Sequence, residues 1–339
     1  MTAKKTPASK QAPTNSPGAF APGEILPRTG NPDPQQTPAN LAALKLRIPI
    51  VRSIFVHNPN HVGVFRALDM VIALGSKGVH QTGVRNAAES YAGKSSSADE
   101  FARIVARRGT YPAGTKPIVR IELEQACTSR RFWTTILSAY GDGFASSKDE
   151  EGLRRSAYEA FERHGTVLLI IDEVQHAGYR SKGFSAPTDV IKRFISDAQV
   201  GLGLFGNEDA RTLLESNKQL SHRLLEPCDI QPLNLANPAQ QRLFAKFVGK
   251  YDVALVKLKL FKTSECLADQ RALDCLMAVS SGYLGRVVTL LQVAGRRAFL
   301  RGADAIELCD LSNASTTWAV AQKLVAHDPF RFGTSAKRD

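Results

Sequence analysis

The chain has 339 residues, with 44 Lys and Arg against 32 Asp and Glu, a formal charge of +12, and a 43% hydrophobic share that is usual for a globular protein. The longest apolar run holds only five residues, as at Val167–Ile171, too few to span a membrane, and the first thirty residues hold no apolar stretch of a secretory signal, so a cytoplasmic protein without membrane contact is expected. Cys127, Cys228, Cys266, Cys275 and Cys309 are odd in number and include no C-x-x-C pair, which argues against a disulfide framework or a zinc site.

Residues 1–40 hold eight of the 17 prolines and read as a disordered arm, because such a stretch buries too little apolar surface to offset chain entropy. Strand-like and helix-like patterns then alternate. Val84–Ala87 reads as a strand, Lys94–Arg108 as a helix, Pro117–Leu123 as a strand, and Ser129–Tyr140 and 151–163 as helices. The continuous apolar run Val167–Ile171 reads as a strand buried on both faces. A helix at 187–199, a strand at Val200–Phe205, a helix near 208–217 and a strand near Cys228–Leu233 complete the alternation, which predicts a parallel α/β sheet. From Pro238 onward only helices fit, at 238–251, 267–281, 284–301 and 314–325. The expected organisation is an arm (1–40), an α/β domain (41–236), an all-helical domain (237–330) and a basic tail (331–339). Residues 41–330 keep a charge of +8, so the excess is not confined to the ends and points to a polyanionic partner.

Two motifs carry chemistry. Ala88–Ser95 reads AESYAGKS against the P-loop pattern G-x-x-x-x-G-K-[ST], whose backbone N–H groups surround phosphates, whose Lys reaches them and whose hydroxyl holds Mg²⁺. Ala88, Glu89, Ser90, Tyr91, Ala92, Gly93, Lys94, Ser95 and Ser96 are the candidate nucleotide-binding residues. Ala88 replaces the first glycine, and Tyr91 stands where small residues are common. Leu168–Glu173 reads LLIIDE, a buried strand ending in two acids, 78 residues after Lys94. In P-loop ATPases this is the Walker B pattern, and Asp172 and Glu173 fit its roles of ordering the Mg²⁺ shell and polarising the attacking water, or a plain buried strand followed by a polar turn. Three weaker signals follow. Asn207 ends LGLFGN, where an amide fits the sensor 1 role or a plain turn. Arg223 in QLSHRL fits an arginine finger for a neighbouring subunit or a surface ion pair. Arg286 in GYLGR fits sensor 2 or a capping turn. The seven histidines show no metal spacing: His57 and His61 are separated by Pro59, and His176 reads as a turn residue or site lining. No G-x-S-x-G nucleophile turn appears.

In this order the motifs resemble the AAA+ superfamily, and within it the TniB/TnsC group of transposition ATPases. The resemblance runs from about Ile50 to Phe332. It rests on KPIVRIELEQACTSRRFWTTILSAYGD (116–142), LLIIDEVQHAG, QLSHRL, GYLGR and Asp328-Pro329-Phe330. It implies a P-loop AAA+ sheet flanked by helices, followed by a helical lid, with ATP and Mg²⁺ as cofactors. It also implies an ATPase that assembles as a ring or helical filament on double-stranded DNA, recruits a transposase, works with a target-selection protein and disassembles on hydrolysis. Similar ATPases turn loops toward DNA at the positions of Thr128, Arg130 and Arg131, with Arg107, Arg108 and Lys116 as further candidates. A hydrolysis-poor DNA-binding adaptor and a helicase-loader or initiator-like ATPase are the alternative readings.

Overall fold

Leu168–Asp172 forms β3, and all five residues are buried, as expected of a central strand covered on both faces. In the computed structural model, which describes residues 37–75, 81–142, 149–178, 187–197, 199–263, 267 and 269–334, β3 lies in a four-stranded sheet with β1 (Gly83–Ala87), β2 (Ile118–Glu122) and β4 (Gly201–Gly206). The order is β1-β4-β3-β2, and every pairing is parallel. The arm up to residue 36, Cys266 and residues 335–339 lie outside the described residues.

The fifth strand expected near Cys228–Leu233 does not form, and the bridge to β1, between Gly83 and Leu224, comes before that stretch. Leu225 N–H donates to Gly83 O (2.8 Å), but the next bond to β1 comes from Cys228 N–H to Arg85 O (2.8 Å). A regular ladder would use residue 227, which is proline and has no N–H to give. The segment bulges there and leaves the sheet.

Helices cover both faces. On one side α2 (Pro59–Leu74) and α3 (Lys94–Arg107) pack Val64, Leu68 and Phe101 against Val84, Ile170 and Phe205. On the other, α4 (Ser129–Ala139), α5 (Glu150–His164), α6 (Pro187–Ser196) and α7 (Glu208–Ser216) bury Trp133, Phe161, Phe194 and Leu214 against Ile121, Ile171 and Leu204. Burying each such side chain contributes roughly 1.5–3 kcal/mol. The short α8 (Lys218–Ser221) leads to Arg223.

A separate core joins α9 (Pro238–Lys257), α10 (Gln270–Ser280), α11 (Leu284–Leu300), α12 (Leu308–Ala314) and the last turn, α13 (Pro329–Phe332). The helix expected at 314–325 instead begins at Leu308, behind an Asp310 capping box, and passes into a π-helical turn at Ser315–Val320. No single helix among the described residues is long and apolar enough to cross a membrane.

Two helices escaped the sequence reading. α1 (Pro38–Arg52) and α2 each start on a proline, after Thr37 and Asn58, whose side chains cap them. Proline at that position lacks only an N–H that has no helical partner, so it starts a helix rather than breaking one. α1 thus takes in residues 38–40, which the sequence assigned to the arm. It packs on the helical lid and not on the sheet: Val51 touches the lid core, and Arg47 lies 4.0 Å over the Phe299 ring while donating to Leu260 O (3.1 Å).

Candidate active site

The parallel order brings the ends of β1, β4 and β3 side by side, so that residues 88–95, Asn207 and Asp172–Glu173 converge at the carboxyl edge of the sheet. The P-loop starts firmly anchored. Ala87 N–H donates to Asp229 Oδ1 (2.6 Å) and Ala88 N–H to Gly206 O (3.0 Å). It turns through positive φ at Tyr91 (62°) and Gly93 (99°) and enters α3 at Lys94. The free N–H groups of that first turn face the loop, which makes it a ready anion site. Lys94 is buried, and its Nζ donates to Ala88 O (2.7 Å) and Glu89 O (3.0 Å). Burial lowers its pKa, and the charges of Glu173, Asp172 and Glu89 oppose that shift.

Ser95 Oγ donates to Asp172 Oδ2 at 2.6 Å. Asp172 is 1% exposed and receives Arg120 Nη2 at 3.1 Å on the same oxygen. Arg120 also holds Asp99 through Nη1 (2.9 Å). Burial works against its charge, but Asp99 and Asp172 outweigh that and raise its pKa. Glu173 takes a positive φ of 56° and donates its N–H to Asp172 Oδ1 (3.0 Å). Its carboxylate accepts from the Gln175 amide, and Gln175 Oε1 accepts from Asn207 N–H (3.4 Å). Asn207 itself caps α7, with Oδ1 accepting from Ala210 N–H (3.2 Å).

The lid closes on the loop. Arg286 is buried, pairs with the Glu89 carboxylate and lies 4.5 Å over the Tyr283 ring. A Cβ on Gly285 would stand 1.9 Å from Tyr91 O, so only glycine allows α11 this close. The Tyr91 ring meets Trp318 edge-on at 5.4 Å.

Between loop and lid lies a cavity of about 420 Å³, within the range of small-molecule sites. Ser90, Tyr91, Gly93, Lys94, Ser95 and Glu173 line its polar end, and Ile54, Phe55, Val56, His61, Phe247 and Leu284 its apolar end. A hydroxyl and a buried carboxylate in contact, beside a lysine at a helix N-terminus, are a donor set that fits Mg²⁺ and phosphate. No cluster of three or more His, Cys, Asp or Glu that could hold a metal alone occurs among the described residues.

The remaining candidates lie elsewhere. Arg223 bonds Ser196 Oγ and Lys192 O (3.3 Å), and its carbonyl accepts from Thr82 Oγ1 (2.7 Å) at the amino end of β1. A five-residue strand, about 16 Å, separates it from the P-loop of its own chain. The six DNA candidates divide between two edges of the sheet. Thr128 caps α4 beyond the carboxyl end of β2, next to half-buried Arg130, and Arg131 pairs with Glu124 (2.7 Å). Lys116 precedes β2 at its amino end, where it donates to Ala139 O (3.2 Å). Arg107 and Arg108 end α3, and pair with Glu100 (3.8 Å) and Asp69 (2.5 Å).

Residues 79–232 match the family model described as bacterial TniB protein. The matched region holds the whole sheet, the P-loop, the acid pair and Arg223, while the lid follows it. No curated protein matches the chain. Among solved structures, the Aeropyrum pernix Orc1 protein in complex with DNA superposes with a TM-score of 0.55 at 17% identity, over 79% of this chain and 66% of that one. The Aeropyrum pernix Orc2 protein, solved as ADPNP-ADP complexes, scores 0.55 at 12% identity, over 79% and 70%. The Walker-type ATPase of Pyrococcus abyssi scores 0.52 at 13% identity, over 80% and 75%. This chain therefore spans about two thirds of the length of the first of these proteins. The likeness is one of fold, and the fold is that of AAA+ ATPases with a helical region after the sheet.

Three residues of the site were missed from sequence. Arg120 and Gln175 become site residues only through contacts made in three dimensions, and the pairing of the loop residue Glu89 with Arg286 was equally out of reach. His61 was weighed only as a metal ligand. It lies in the first turn of α2, its Nδ1 accepts from the Asn58 amide (2.9 Å), and its Nε2 is 3.3 Å from where a Gly93 Cβ would be. Burial, helped by the charge of His57, lowers its pKa to about 4, so the ring is neutral at physiological pH. The Asn58 that caps α2 beside the loop was the available signal.

Proposed function

We propose that the chain binds ATP with Mg²⁺ in this cavity, hydrolyses it, and regulates DNA transposition by assembling on target DNA. The observation that carries the reading is the contact of Ser95 Oγ with Asp172 Oδ2, 2.6 Å, beside a cavity lined by Lys94 and Ser95. In this reading Lys94 and the N–H groups of residues 88–96 hold the phosphates, and Ser95 and Asp172 hold the metal. Bound Mg²⁺ supplies the positive charge that offsets charge building on the phosphate oxygens. Glu173 takes the proton of the attacking water, Asn207 and Gln175 orient that water, and Arg286 moves from Glu89 to the phosphates. Arg223, remote from its own P-loop, acts on the site of an adjacent subunit.

Duplex DNA is the proposed polyanion, supported by the +8 charge of residues 41–330. Recruitment of a transposase and a target-selecting partner, assembly as ring or filament, and disassembly on hydrolysis complete the proposal. They rest on the TniB match. The test is fluorescent-nucleotide binding and DNA-stimulated phosphate release by wild type and Lys94→Ala, with electron micrographs of the protein on duplex DNA. Removing a buried cation that pairs with phosphate costs about 2–5 kcal/mol, a 30-fold or greater loss of ATP affinity. Unchanged ATP affinity in Lys94→Ala overturns the site. Turnover that ignores DNA, with no assemblies on it, overturns the transposition reading.

A further inference from the structure

Helix α9 presents two unlike faces. Phe244, Phe247, Val248, Tyr251 and Leu255 are buried in the lid core. At 3.6 residues per turn, Arg242, Lys246, Gly249, Lys250, Val253 and Lys257 fall within an arc of roughly 100° on the opposite side. All four cations are exposed, and none of them forms an ion pair among the described residues. The only acid of the helix, Asp252, is buried away from them. This sets α9 apart from the sheet domain, where Arg107, Arg108 and Arg131 each pair with a carboxylate.

The face is locally unfavourable in two independent ways. Like charges four residues apart, at 242, 246 and 250, repel one another. Gly249 weakens the helix interior, yet a Cβ there would meet nothing within 4 Å, so packing does not require glycine. Local rules broken without a gain in the fold mark a surface made for a ligand. Exposed Val253 adds an apolar contact in the middle of the arc. From residue 242 to 257 the stripe runs about 22 Å, and that length of duplex carries about 13 phosphates.

We infer that the outward face of α9 is a contact surface for the phosphate backbone of duplex DNA, with Gly249 leaving room for close approach. The inference rests on the DNA part of the proposed function and moves the contact from the sheet edges to the lid. Anisotropy of a labelled duplex of about 40 base pairs tests it, with the full chain, Mg²⁺ and a non-hydrolysable ATP analogue over a range of salt. Each lost phosphate contact removes about 0.9 from the slope of log affinity on log salt. The Lys246→Ala/Lys250→Ala/Lys257→Ala variant is expected to lower affinity and to flatten the slope by about 2.7. The matching Lys→Arg variant keeps both, and nucleotide binding equal to wild type reports an intact fold. If wild type binds duplex and the alanine variant binds identically, the α9 assignment falls alone. If wild type binds no duplex at any salt, the DNA part of the proposed function falls with it. Lysine-dependent binding of polyglutamate but not of duplex overturns the inference in favour of an acidic protein.

Discussion

The acid pair and the P-loop meet at one cavity, yet different parts of the molecule hold them. Asp172 and Glu173 are fixed from within the sheet domain, by Ser95, Arg120, Gln175 and the buried strand β3. The loop is pinned to the sheet at its start and, through Ser95 and Asp172, at its end, while its middle leans on the lid, through Glu89 with Arg286, Tyr91 O against Gly285, and Tyr91 with Trp318. The acids therefore stand ready whatever the lid does, whereas the grip on phosphate is coupled to the lid.

The largest expected effect breaks the two apart. Glu173→Gln leaves the loop and its lid contacts alone, so ATP affinity stays near wild type. Turnover falls by about 10²–10⁴, the usual contribution of a general base. Nucleotide titration and phosphate release on the same preparation check this, and normal turnover removes Glu173 from its role. The coupling itself is sharpened by Gly285→Ala. The added methyl cannot sit 1.9 Å from Tyr91 O, so the lid must shift. Overpacking of this kind costs roughly 1–3 kcal/mol, read as an ATP affinity about tenfold weaker with the acids undisturbed. An unchanged affinity would show that the lid is not needed to shape the loop.

The smallest effect concerns His61, at the apolar end. Its folded pKa of about 4 lies below the ordinary 6.5, so the unfolded chain takes up a proton first as pH falls. Stability from this residue is present in full above pH 6.5 and is lost toward pH 4. Between pH 7 and pH 5 the loss is about 2 kcal/mol. His61→Phe should remove that part of the pH dependence. Urea midpoints at the two pH values measure it, and an equal drop in both proteins assigns the loss to other groups.

The parts legible in the sequence are those whose signal is local. Val167–Ile171 announces a doubly covered strand, and the change of pattern at Pro238 marks where strands stop. What escaped depends on partners far along the chain. Pro38 and Pro59 read as breaks because their capping residues were not weighed. The edge strand fails at Pro227, where the ladder needed a donor. Within the candidate site, GKS and the Asp-Glu pair were readable from spacing alone. Arg120, 52 residues before Asp172, and Gln175, which reaches both Glu173 and the head of α7, were not. Nor could spacing tell that Arg108 and Arg131 are tied to acids while the outward cations of α9 form no ion pair among the described residues.

The edge-on pairing of Tyr91 with Trp318 has a practical side. The chain has two tryptophans, and the other, Trp133, is sealed in the sheet domain's core. Any movement that parts lid from loop changes the surroundings of one indole and leaves the other as a constant background. The molecule thus carries a built-in optical gauge, and the opening of the cleft can be followed by its own ultraviolet emission, without a dye.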